Sequence, residues 1–139
     1  MSTESVHNAI RSRFYSEVES AASLDNKVQY DNQKKPSAAG GDSLWVRFKV
    51  LPGDSAQVDT GSSSHRYRSV GIAVAQIFAP VNTGTKSIAT LTDTIKSAFR
   101  GVTASGVKYV DEPQEQNVGR SGKYWQHNVT IKWQADNTA

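Results

Sequence analysis

The stretch from Ile88 to Phe99 constrains the fold more than any other in this chain of 139 residues. Ile88, Leu91, Ile95, Ala98 and Phe99 recur at i, i+3, i+7, i+10 and i+11, a single apolar stripe along one side of a helix. Thr83 or Thr85 is placed to cap its start, and Arg100-Gly101 supplies a basic last turn and a C′ glycine. Burying its large side chains, Ile88, Leu91, Ile95 and Phe99, stabilises by about 1.5–3 kcal/mol each. A whole domain retains only about 5–15 kcal/mol net, so this helix is ordered only when docked on a core.

The core it needs is supplied by strands. Leu44 to Val50 alternates strictly, with Leu44, Val46, Phe48 and Val50 on one side and Trp45, Arg47 and Lys49 on the other, and Pro52-Gly53 stops it. Arg66 to Phe78 is a longer strand, with Val70, Ile72, Val74 and Phe78 opposite Tyr67, Ala73, Ala75 and Ile77. Its small residues Gly71, Ala73 and Ala75 permit close approach of a helix or a neighbouring subunit. Val107 to Glu112 is a short strand ending at Pro113. Lys123 to Gln134 places Trp125, His127, Val129, Ile131 and Trp133 on one face. Val28-Gln29-Tyr30 reads as a further short strand.

A first helix is expected over about Ser2 to Ser23, where Val6, Ile10, Phe14 and Val18 recur every four residues and Glu4 lies in the first turn. Asp31 to Asp42 and the polar connection Gln114 to Gly122 read as loops, as does a flexible loop at about 53–64. A short polar tail closes the chain at 136–139. The expected fold is α+β, a single domain over 1–139: a mixed, mostly antiparallel sheet of about four or five strands packed with two helices, in the order α-β-β-β-α-β-β.

At 37% hydrophobic and 21% charged, the chain has globular rather than disordered or fibrous composition. The net charge of +3 is spread evenly along the sequence, a weak footprint for a dedicated nucleic-acid binder. There is no cysteine, so neither a disulfide framework nor a thiolate metal site is available. The N-terminal residues lack a signal-peptide core, and no apolar run approaches the ~20 residues of a membrane span. The expectation is a protein made and kept in the cytosol unless a larger assembly carries it elsewhere, without membrane association.

No constellation for catalysis emerges. His7, His65 and His127 have no metal-ligand spacing, and His127 on an apolar strand face reads as a structural histidine. Gly84-Thr85-Lys86-Ser87 superficially resembles a phosphate loop. Thr85 interrupts the required Gly-Lys-Ser/Thr, and position 79 is Ala, so it reads as a helix start. Asp111 and Glu112 are adjacent on a strand and point to opposite faces. No Gly-x-Ser-x-Gly elbow occurs. No enzyme, cofactor or metal is expected. Trp45, Arg47 and Lys49, with Arg66 and Arg68 on the next strand, interleave basic and aromatic residues. Such a face suits single-stranded nucleic acid or, better in the absence of an RNP-type pattern, a protein interface rich in Trp and Arg.

The order of segments resembles the tail terminator proteins of long-tailed bacteriophages, the lambda-type family. The resemblance rests on Ile10-Arg11-Ser12-Arg13-Phe14, on Leu44-Trp45-Val46-Arg47-Phe48 leading to Leu51-Pro52, and on Ile77-Phe78-Ala79-Pro80. Gly84-Thr85, Ala98-Phe99-Arg100 and the closing strand through Trp125 complete it. It implies a structural virion protein that forms a ring, six-fold in that family, on the end of the tail tube. Such a ring stops tube growth and offers a surface to the head connector. The partners implied are copies of itself, the tube protein and head–tail connector or neck proteins, in the phage tail at the neck. Candidate interface residues are Trp45, Arg47, Lys49, Asp54, Gln57, Asp59, Arg66, Arg68, Arg120 and Lys123. A monomer, or a monomer–hexamer mixture, is expected in dilute solution. The competing readings are another neck or head-completion protein, a small single-strand-binding module, and a small α+β enzyme.

Overall fold

A computed structural model of the protein describes residues 3–24, 27–36, 43–58 and 66–138. Helix α1 (Thr3–Phe14) runs into a π-helical turn at Tyr15–Glu19. Then come β1 (Val28–Gln29), β2 (Trp45–Gln57), β3 (Arg66–Pro80), α2 (Lys86–Phe99), β4 (Thr103–Ala104), β5 (Val107–Ser121) and β6 (Tyr124–Thr138). The strands form one sheet in the order β1-β2-β3-β6-β5-β4. Only β1 and β2 pair in parallel. The α+β class and the mixed, mostly antiparallel sheet are as the alternation predicts. The strand count is six rather than four or five, because Thr103–Ala104 adds a two-residue strand beside β5. Two residues are too few to carry a periodic signal.

Both helices lie on one face of the sheet. Val6, Ile10 and Phe14 of α1 are buried with Val18 of the π-helical turn. The four-residue spacing thus identifies the buried stripe correctly, although the α-helix ends at Phe14, short of the expected Ser23. The Phe14 ring stacks on Phe48 of β2 at 4.1 Å and lies 6.4 Å from Phe99 of α2. Phe99 in turn meets Tyr109 of β5 edge-on at 4.9 Å. Four elements therefore close on one aromatic column. The Arg13 Nε donates to the Ala98 carbonyl at 2.8 Å, tying the end of α1 to the end of α2.

The stripe of α2 is buried from Ile88 to Phe99, and Gly101 follows it with φ +62°, the left-handed conformation a C′ glycine supplies. Its start departs from expectation. Neither threonine caps the helix with its side chain: Thr85 makes no such bond, and the Thr83 hydroxyl donates instead to the Pro80 carbonyl at 2.6 Å, closing the turn after β3.

On β3 the small residues face the helices, and Ala73, Ala75, Ile77 and Ala79 are fully buried. Gly71 is required where it stands, since a Cβ there would overlap the Trp133 indole and the Leu51 carbonyl oxygen. The close approach predicted for this strip is made by the indole of Trp133 on β6.

Three strands run beyond their predicted ends. Gly53 to Gln57, expected in a flexible loop, continue β2 after a register shift between Pro52 and Ser55. Residues 59–65, the rest of that loop, lie outside the described residues, as do 37–42 of the loop before β2. Gln114 to Ser121, expected as a polar connection, continue β5 past shifts at Val110–Gln114 and Asn117–Gly119. Asp136 to Thr138, expected as a tail, pair with Arg66–Arg68. The reason is common to all three: what joins these segments to the sheet is ladder pairing, which leaves no periodic apolar signal in the sequence. Pro113 is accommodated because it falls in a bulge, where no ladder donor is demanded.

Candidate functional site

The face of the sheet opposite the helices is covered by no other element among the described residues. Register fixes its rows from β2 to β5. Trp45 lies beside Phe78, Gln126 and Gly119; Arg47 beside Gln76, Asn128 and Gln116; Lys49 beside Val74, Thr130 and Gln114; and Leu51 beside Ile72, Lys132 and Val110. The alternation that sends Val46, Phe48 and Val50 into the core sends these residues outward.

At one end of this face is a second, small core. Trp45 stacks on Phe78 at 4.5 Å with an interplanar angle of 15°, and Tyr124 meets both rings edge-on at 6.3 and 6.2 Å. The three are only 5%, 8% and 8% exposed. Trp45, expected as a free aromatic on the strand face, is thus closed off by its own chain. The Arg47 guanidinium roofs the cluster, 5.5 Å above Trp45 and 5.7 Å above Phe78, while its Nε donates to Gln29 of β1 at 3.2 Å. Lys49, one row along, is half-buried and lies on the same side.

The other predicted interface residues separate into two groups. Arg120 and Lys123 belong to the β5–β6 hairpin near the aromatic cluster, where Arg120 Nε donates to the Gly122 carbonyl and the Lys123 ammonium lies 6.0 Å from the Tyr124 ring. Asp54, Gln57, Arg66 and Arg68 lie at the opposite end, beside the β2–β3 connection, and Asp59 lies outside the described residues. Arg68 pairs with Asp136 on β6 at 3.0 Å. The hydrogen bond and charge of Arg68 hold the Asp136 carboxyl below the usual carboxylate range. Phe78, Tyr124, Lys108 and Lys132 complete the surface. Period-2 alternation places each on its face, but their juxtaposition depends on register between strands distant in sequence.

Elsewhere the titratable groups pair structurally. Glu115 of β5 accepts from Lys96 of α2 and contacts His127 Nε2 at 3.1 Å, so its carboxyl is held down, first by Lys96. Arg100 meets Glu112 at 2.7 Å. His127 is thus the satisfied strand histidine that its position suggests. A cleft of about 640 Å³ between the segment after the π-helical turn and the start of α2 is floored by Leu24, Leu44 and Leu91. Its ionisable side chains among the described residues are Lys27 and Lys86, with no acid lining the cleft opposite them. Among the described residues no group of three or more His, Asp or Glu is placed to hold a metal ion. No helix among the described residues is long and apolar enough to cross a membrane.

The sheet thus has one face packed against the helices and one open face that carries charged, amide and apolar side chains. The family model of the phage tail terminator protein matches residues 5–133, and the chain belongs to that family. It is a structural protein of the phage tail. No curated protein matches it. Two solved structures share the fold across nearly the whole length. One, without a functional description, has a TM-score of 0.71 at 17% identity and covers 97% of this chain and 96% of its own. The other belongs to the virion of a native gene transfer agent particle, with a TM-score of 0.60 at 14% identity and 94% coverage of each chain.

Proposed function

We propose that this chain closes into a ring, six copies by the family resemblance, on the end of the phage tail tube, where it stops tube polymerisation and presents the surface that joins the head. The observation that carries this reading is the family match over residues 5–133, on a chain whose sheet leaves one whole face to other molecules. A closed ring needs two different patches on each subunit, related by a rotation of about 60° for six copies. The two groups of candidate residues answer that requirement: Arg47, Lys49, Arg120 and Lys123 at one end of the sheet, and Asp54, Gln57, Arg66 and Arg68 at the other.

Electron microscopy of the purified protein tests the ring directly, with light scattering across a concentration series. Rings, or monomers giving way to hexamers as concentration rises, are expected; a dimer at every concentration would overturn the proposal. Adding the protein to uncapped tails and, separately, to incomplete heads distinguishes a terminator from a head-completion protein. Rescue of tails is expected, and rescue of heads alone would reassign it.

A further inference from the structure

We propose that the open face of the sheet is a sequence-independent contact surface for the backbone of double-stranded DNA. The inference concerns the free subunit: Arg47, Lys49, Arg66 and Arg68 are shared with the ring patches proposed above, whereas Lys108 and Lys132 belong to this surface alone, and its test does not require a ring.

It starts from charge. Arg47, Lys49, Arg66, Arg68, Lys108 and Lys132 all fall on this face by register. Against these six stand three acids among the described residues: Asp136 paired with Arg68, Asp111 reaching from the β5 bulge to Lys132 at 3.6 Å, and Asp54 in the β2 register shift opposite Val70. The resulting excess of three equals the net charge of +3 of the entire chain. The even spread of charge along the sequence therefore becomes segregation in space, because alternation sends the lysines of β2, β5 and β6 to the same side.

Between the cations lie amides and one hydroxyl, Gln76, Gln114, Gln116, Gln126, Asn128 and Thr130, with Leu51 and Val70 exposed among them. Amide and hydroxyl groups, with Arg and Lys, are the side chains that bond phosphate oxygens. A protein-binding hot spot needs exposed aromatic anchors, and this face has none: Trp45, Phe78 and Tyr124 are closed on one another. The same closure excludes single strands, whose binding relies on free rings on which bases stack. Cations, amide and hydroxyl partners and no open ring together select the duplex backbone. Rows from Arg47 to Lys108 span roughly 20 Å at ~3.3 Å per residue, against one duplex charge per ~1.7 Å of axis.

Fluorescence anisotropy with a labelled mixed-sequence duplex tests this. Binding at about 50 mM salt should fall steeply by about 200 mM, with a log–log slope of about −4 to −5, as for about five neutralised phosphates. Lys49→Gln, Lys108→Gln and Lys132→Gln should each reduce that slope by about one, and Lys86→Gln on the helix side should not. Since each acts singly, and Lys108 and Lys132 are exposed, the test does not hang on a variant that fails to fold. Absence of duplex binding at low salt, an unchanged slope in all three variants, or tighter binding of a single strand would overturn the proposal. Equal binding of polyglutamate would also overturn it and assign the face to an acidic protein.

Discussion

Tyr109 points its hydroxyl into the aromatic column beneath Phe99, where the oxygen is buried and has no hydrogen-bond partner among the described residues. Burial pushes its pKa up to about 12. Because the folded state holds this proton more tightly than the unfolded chain, its contribution is complete below pH ~10 and is lost as pH rises through ~12, by roughly 2–3 kcal/mol. Tyr109→Phe should remove that alkaline loss and leave neutral-pH stability unchanged or raised by up to about 1 kcal/mol. Urea unfolding at pH values on either side of ~10 reads both effects. At the same scale, the sequence places Trp45, Arg47 and Lys49 together correctly but leaves Trp45 open. Its closure depends on Phe78 and Tyr124, and one strand's alternation says nothing about what the neighbouring strand sets beside it.

Among elements, α1 is held chiefly by the stacking of Phe14 on Phe48 and by its contact with Phe99. Phe14→Ala should cost about 3–5 kcal/mol, read as a lower urea midpoint, because the column it leaves is shared by four elements and cannot collapse. Elements of this kind are legible in a sequence: both helix stripes and the cores of β2, β3 and β6 follow from periodicity alone. The extensions of β2, β5 and β6 are not. Gln114 to Arg120 and Gly53 to Gln57 bury little of their side chains, so nothing in their composition distinguishes a paired strand from a loop. Pro52 and Pro113 actively mislead, since each sits at a register shift that tolerates it.

Over the whole molecule, one continuous core joins both helices to the sheet from β2 to β5, while the Trp45 cluster forms a satellite on the opposite face. Calorimetry should therefore show one cooperative transition, with calorimetric and van't Hoff enthalpies in agreement, as for a single domain of this size. Two separated transitions would show that the satellite melts independently. The outer edge of β2 is closed to chance pairing: β1 covers Val46 and Arg47, the Asp31 carboxylate accepts the Val50 N–H at 2.8 Å, and a bulge follows Pro52. Along this edge, at least, a newly made chain in a crowded cell offers no open ladder on which another could be templated into a fibril.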